Sequence, residues 1–280
     1  MSTFIREQIE KFKKFDYKIN ENNQFYNPNK EKMDSLEKHI ETKINNINFD
    51  LTNWIYNNII RTSNPRDNVE FKEWVVKNEN NFKKMCDNYI ERYNKNNDLI
   101  EAGTDKGEEW FGINFNTKLK NKQTINGKEV TYNYYLTFEN SIENFKSWIN
   151  NFSTLITKFY QESLNGSLQN SAVSMKMGYS IFHYILDNDH MKFYWYSKED
   201  ESKVEGIIND WLSKYKISTA NRPYTKGIDF SLNKNSWGDL VATTLNDELN
   251  KLIKKYGNKF TPKQYSNHIL KMLNTTKFNF

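Results

Sequence analysis

The stretch Val173–Tyr196, "VSMKMGYSIFHYILDNDHMKFYWY", decides how the second half of the chain is read. Val173, Met175 and Met177 alternate with Ser174, Lys176 and Gly178. A period of two marks a strand with one apolar face. "MKFYWY" is again rich in β-prone residues, and "LDNDH" reads as the turn before it. Two or three strands are predicted here. Lys176 falls on the face opposite the two methionines, and His183 shares a strand face with Ile181 and Ile185. If water bathes that second face, Lys176 is an ordinary surface lysine. If the face lines a cleft, desolvation or a neighbouring cation lowers its pKa and frees the amine as a general base. His183 likewise reads either as a hydrogen-bonded core histidine or as a functional one. Asp187, Asp189 and His190 suit turn geometry. Their spacing matches no ligand motif, so no metal is expected.

Working outward, "WFGINFNTKLK" and "KEVTYNYYLTF" flank Asn126-Gly127, the dipeptide that a tight hairpin turn demands. Asn140 with Glu143 makes a capping-box pattern ahead of Trp148, Phe152, Leu155, Ile156 and Phe159. After "MKFYWY" another helix carries Val204, Ile207, Ile208, Trp211 and Leu212. Two more, about 236–256 and 262–273, close the chain, the last behind Thr261-Pro262. Before residue 105 the pattern is helical. Met33, Leu36, Ile40, Ile44 and Ile47 form one stripe, and Leu51, Trp54, Ile55 and Ile59 follow Asp50 as N-cap. Phe71, Val75, Phe82, Cys86, Tyr89 and Tyr93 mark a long helix. The polar run "NKNNDLIEAGTDKGEE" is the expected boundary. The predicted organisation is a helical region over 1–105 and an α+β domain with a mostly antiparallel sheet over 106–280.

Composition bounds the function. The hydrophobic fraction of 37% is modest, but aromatics reach 15%, so large rings can build a core. Cys86 is the one cysteine, which excludes an intrachain disulfide and a cysteine metal site. The 40 basic residues interleave with 35 acidic ones, which argues against a nucleic-acid partner. No run approaches 18 apolar residues, so no membrane span is expected, and "MSTFIREQIEKFKKF" lacks the apolar core of a secretory signal. A cytoplasmic protein is predicted, although a non-classical or effector route of secretion leaves no such mark. P-loop, dinucleotide-binding, α/β-hydrolase and zincin motifs are all missing from the sequence. "NRPYTKG" gathers Arg222, Tyr224, Thr225 and Lys226, which together can clamp a phosphate or carboxylate.

From Trp110 onward the chain resembles the HopA-type effector family, whose domain recurs as the lyase component of class V lanthipeptide synthetases. The pieces are "WFGINFN", "YNYYLTF", "LITKFY", "VSMKMG", "NDHMKFYWY", "RPYTKGIDF" and "NSWGDLVATTL", spread over roughly 170 residues. Where the family carries an arginine three residues after the glycine of the last motif, this chain has Val241. The resemblance implies a phosphothreonine-lyase-like fold and β-elimination of phosphate from phosphoserine or phosphothreonine in a peptide. For that chemistry, read from the residues, Lys176 fits the base, Arg222 and Lys226 fit the clamp with Tyr224 and Thr225, and Lys118 or Lys192 fit as helpers. His183, Tyr134 or Tyr135 would be the acid. No cofactor is required. The implied partner is a phosphorylated peptide or protein, phosphorylated by a separate kinase. A non-catalytic peptide-binding domain of the same fold is the alternative, favoured by Val241. An ADP-ribosyltransferase-type toxin ranks third, because the Glu-x-Glu in the β-rich half, Glu199-Asp200-Glu201, reads as a solvated helix start.

Overall fold

A computed structural model describes residues 26, 28–61, 69–94, 100–105, 110–116, 119, 124–125, 128–181, 183–186, 190–220, 226–230 and 237–275. The chain divides into two compact units. One draws on Met1–Pro65 and Gly238–Phe278, the other on Arg66–Trp237.

The first unit is helical. Helix α1 (Lys30–Asn45) begins at Asn29, whose side chain accepts the Lys32 N–H at 2.9 Å. It buries Leu36 and Ile40. Lys43 is also buried, and its ammonium donates to the carbonyls of Phe49 and Ile47 just past the helix end. Helix α2 (Thr52–Ile55) continues into a π-helical turn at Tyr56–Ile60. Two further helices complete the unit, α7 (Trp237–Tyr256) and α8 (Pro262–Thr275) in chain order. The expected cap at Thr261 forms: its N–H donates to Gln264 Oε1 at 2.8 Å, and the Gln264 N–H to Thr261 Oγ1 at 3.3 Å. The two ends of the chain are stitched by carboxamides. Leu51 N–H donates to Asn246, and Asn274 pairs with both the N–H and the carbonyl of Tyr26 at 2.9 and 3.0 Å.

The second unit is α+β, as the sequence predicts. Helix α3 (Val69–Asn94) precedes β1 (Ile100–Thr104), β2 (Trp110–Phe115), β3 (Thr124–Ile125) and β4 (Lys128–Leu136). Helix α4 (Ile142–Leu164) follows, then β5 (Val173–Gly178), α5 (His183–Leu186), β6 (Met191–Trp195), α6 (Glu201–Lys214) and β7 (Lys226–Phe230). The strands run in the order β1-β2-β5-β6-β4-β3, with β7 also paired to β4, and every pairing is antiparallel. One sheet face is apolar. Phe111, Ile113, Phe115, Met175, Met177, Phe193 and Trp195 are buried there, and Phe159 of α4 stacks on Phe115 and Phe193 at 5.5 and 5.7 Å. Cys86 is buried in this core and burial pushes its thiol up, so it is inert packing.

Three expectations shift. The units do not divide at residue 105. Helix α3 sits with the sheet, its Phe71, Phe82 and Tyr89 against Phe145, Trp148 and Phe152. A helical stripe shows that one side is covered, not which element covers it. The N-cap of α4 is Ser141 rather than Asn140, accepting the Asn144 N–H at 3.1 Å. The Val173–Tyr196 stretch holds two strands with a turn and the short helix α5 between them. The predicted Asn126-Gly127 turn lies outside the described residues, although β3 and β4 pair on either side of it.

The outer edge of β1 is guarded. Asn94, the last residue of α3, donates from Nδ2 to the Ala102 carbonyl at 2.7 Å and accepts the Ala102 N–H at 3.0 Å. Its carboxamide stands where a neighbouring strand's peptide group would stand, and an open edge would invite another chain. Asn94→Ala is expected to cost about 1–3 kcal/mol, because both backbone groups lose their partner. Light scattering of the variant should rise with concentration. A variant as stable and as monodisperse as the parent would show that the edge needs no guard.

Candidate functional site

The second sheet face gathers most of the predicted site residues that the structure describes. Direct cross-strand pairing places Gly103, Gly112, Lys176, Lys192 and Tyr135 in one row over β1, β2, β5, β6 and β4. The neighbouring row reads Glu101, Asn114, Ser174, Tyr194 and Asn133. These positions alternate with the buried residues of the apolar face, as a pleated strand requires. A groove of about 350 Å³ opens on this face, lined by Trp110, Lys176, Asn114 and Tyr194 with Gly103 and Gly112 beneath.

Lys176 is half-buried and Lys192 is buried, 7% exposed. They face each other directly across β5 and β6. Like charges in that position repel. Trp110 offsets part of the cost: the Lys176 ammonium lies 4.7 Å and the Lys192 ammonium 5.3 Å from its ring centroid. Lys192 also lies 5.4 Å from the Tyr135 ring. His183 stacks on Trp110 at 5.5 Å with the rings 26° apart. The face thus joins two cations, three aromatic rings and an imidazole.

Local structure explains why His183 reaches Trp110. Gly178 sits directly across from Trp110 at the end of β5. A Cβ on Gly178 would come within 2.6 Å of the His183 Cβ, so only glycine lets α5 fold back this closely. Gly178→Ala is expected to push His183 off the indole. The ring protons of His183, shifted by the stacked indole in the parent, should move toward ordinary values in the NMR spectrum of the variant. Unchanged His183 shifts would mean that the backbone absorbs the methyl without moving the ring.

The predicted site residues fall as follows. Lys176 and Lys192 come together. His183 joins them through Trp110, from the first turn of α5 and not from a strand. Tyr134 does not join: it pairs with Phe193 and packs against the core, on the face opposite Lys176. Its neighbour Tyr135 pairs with Lys192 instead. The β alternation carried that signal, since Leu136 shares the parity of Tyr134 and Asn133 that of Tyr135. Lys226 does not join either: it opens β7 with its backbone paired to Tyr134, a register position on the face opposite Lys176. Arg222, Tyr224, Thr225 and Lys118 lie outside the described residues, as do Asp187 and Asp189. His190 is a core residue: fully buried, its Nδ1 accepts the Phe138 N–H at 2.8 Å. Trp110 was visible only as part of a motif, yet its alternation with Phe111 could have placed it on the lysine face.

Among the described residues no cluster of His, Cys, Asp and Glu could hold a metal, and no helix is long and apolar enough to cross a membrane. Val241 of α7 is fully buried in the helical unit. Nearby, a Cβ on Gly238 would meet the Tyr56 ring at 2.5 Å, so this glycine of the "NSWGDL" motif serves helix packing.

Among solved structures, the chain is similar to that of the effector protein from Pseudomonas syringae pv. syringae strain 61. It is 10% identical, the match covers 85% of this chain and 97% of that one, and the TM-score is 0.38. At that level no residue role is carried over. No protein-family model and no curated protein matches the chain.

Proposed function

We propose that the polar sheet face binds a phosphorylated peptide and eliminates its phosphate. The observation behind this reading is the Lys176–Lys192 pair, held side by side against Trp110 on a grooved face. Two ammoniums facing each other repel, and an anion between them relieves the repulsion. A phosphate monoester supplies that anion. Lys192, the more buried of the two, is the electrostatic anchor. Lys176, nearer the opening, is the base.

In the proposed reaction neutral Lys176 takes the Cα proton of a phosphoserine or phosphothreonine residue. The released electron pair forms the Cα=Cβ double bond, and the Cβ–O bond breaks. The departing oxygen takes a proton, so the products are a dehydroamino acid and inorganic phosphate. Tyr135, which the register brings beside Lys192, replaces Tyr134 as the donor in this scheme. His183 keeps Trp110 against the cations. Arg222 remains the proposed outer clamp, without Lys226, whose register position is that of Tyr134.

A phosphothreonine peptide incubated with the protein should lose phosphoric acid in the mass spectrum and gain an alkene that adds thiols. The buried Val241 favours a second reading, in which a phosphopeptide binds without turnover. Saturable binding with no change of mass would establish that reading. Neither binding nor loss of mass would remove both.

A further inference from the structure

We propose that the groove holds an extended polypeptide backbone, with Gly103 and Gly112 as its floor beside Lys176 and with Asn133 pairing to one of its peptide groups. This deepens the phosphopeptide reading and rests on it.

The two glycines face each other across β1 and β2, and Gly112 faces Lys176 across β5. Glycine weakens a strand interior, so its presence calls for a reason. Among the described residues nothing supplies one. A Cβ on Gly103 would meet no atom within 4 Å, and on Gly112 only ordinary contacts, to the carbonyl oxygens of Met175 and Gly103 at 3.7 and 3.9 Å. Neither has the positive φ that Gly257 shows. Gly178, by contrast, is needed internally. A strand glycine with no internal reason marks close approach by something else.

Asn133 is the independent observation. It is fully buried, and neither its Oδ1 nor its Nδ2 has a hydrogen-bond partner. It belongs to the same face, beside the groove and beneath its surface rather than in its lining, directly across from Tyr194 of the groove wall on one side and Gly227 on the other. A buried carboxamide left unbonded is costly. Three other carboxamides of the described residues show one way to satisfy such a group. Asn94 pairs with both backbone groups of Ala102, Asn274 with those of Tyr26, and Asn144 with those of Ser218 at 2.7 and 2.9 Å. A peptide unit offers a donor and an acceptor side by side, which is what the Asn133 carboxamide lacks. From β1 to β4 there are four strand spacings, about 19 Å, which an extended chain of about six residues spans. The ligand then crosses the strands, with its phosphate over the Lys176–Lys192 pair.

The test is calorimetric binding of two probes, a hexapeptide with a phosphothreonine near its centre and inorganic phosphate. The proteins are the full chain and its Gly103→Val, Gly112→Val and Asn133→Leu variants. Each variant should bind the peptide at least about tenfold more weakly while holding inorganic phosphate as before. Each should also melt no lower than the parent, because valine suits a strand and leucine removes an unsatisfied amide. Undiminished peptide binding by all three would overturn the inference and leave the phosphopeptide reading standing. So would a lowered melting temperature in the glycine variants, which would show that the fold itself needs those glycines. A parent protein that binds no phosphopeptide would overturn the underlying reading instead.

Discussion

Lys176→Arg is expected to abolish elimination while leaving phosphopeptide binding largely intact. A guanidinium keeps its proton throughout the working pH range, so it can still attract phosphate but cannot accept the Cα proton. Loss of a positioned base removes about 10²–10⁴-fold in rate. Lys176→Ala should be equally inactive. Lys192→Ala should act differently, weakening binding as well as turnover, because the anchor for the phosphate goes. The measurement is single-turnover elimination beside peptide affinity for each variant. If Lys176→Arg turns over normally, the lysine serves as a charge and not as a base. If Lys176→Ala does so, the groove is an ordinary surface.

The second large effect concerns stability. Trp148 of α4 is fully buried and touches five aromatic neighbours. Phe138 stacks on it at 5.1 Å, Tyr184 lies at 5.2 Å, Phe82 and Phe152 at 5.9 Å, and Phe145 at 6.1 Å. Trp148→Ala empties the middle of this cluster and is expected to cost about 3–5 kcal/mol. That is a large share of the roughly 5–15 kcal/mol that holds a domain folded. Trp148→Phe should cost much less, since it keeps a ring and discards an indole N–H that has no partner. Urea unfolding followed by near-ultraviolet circular dichroism separates the two. A mild alanine variant would mean that the cluster collapses to fill the space. The consequence would reach the groove, because Tyr184 of the cluster and His183 are neighbours in α5.

Much of this architecture was legible in the sequence. The 3.6-residue stripe from Leu36 and Ile40 gave α1, and that of Phe71, Val75, Phe82 and Cys86 gave α3. Alternation in "VSMKMG" put Lys176 on the non-core face, and the structure makes that face a groove. What failed has physical causes. "GYSIFHYIL" is rich in β-formers, but Ile181 and Tyr184 are three residues apart, and a helical turn buries both. Propensity lost there to packing, with Gly178 permitting the tight return. Periodicity could not reveal that α3 covers the sheet unit, because partner choice depends on contacts distant in sequence. Nor could it show the Lys176–Lys192 pairing, which is a matter of strand register. Val241 was flagged by comparison with a motif. Its burial in α7 explains why an apolar residue suits that place in this chain.

The helical unit is assembled from both ends of the chain, with the whole α+β unit encoded between them. During synthesis α1 and α2 therefore emerge long before α7 and α8 exist. At a ribosomal pace of about 5–20 residues per second, the delay between the two halves is on the order of 10–35 s. The α+β unit has all its own strands and helices well before then. Folding on the ribosome should thus run from the middle of the gene product outward. A nascent chain stalled short of residue 238 would have its α1 cleaved readily by protease, and emergence of α7 and α8 would protect it. The N-terminal helices are made first and finished last.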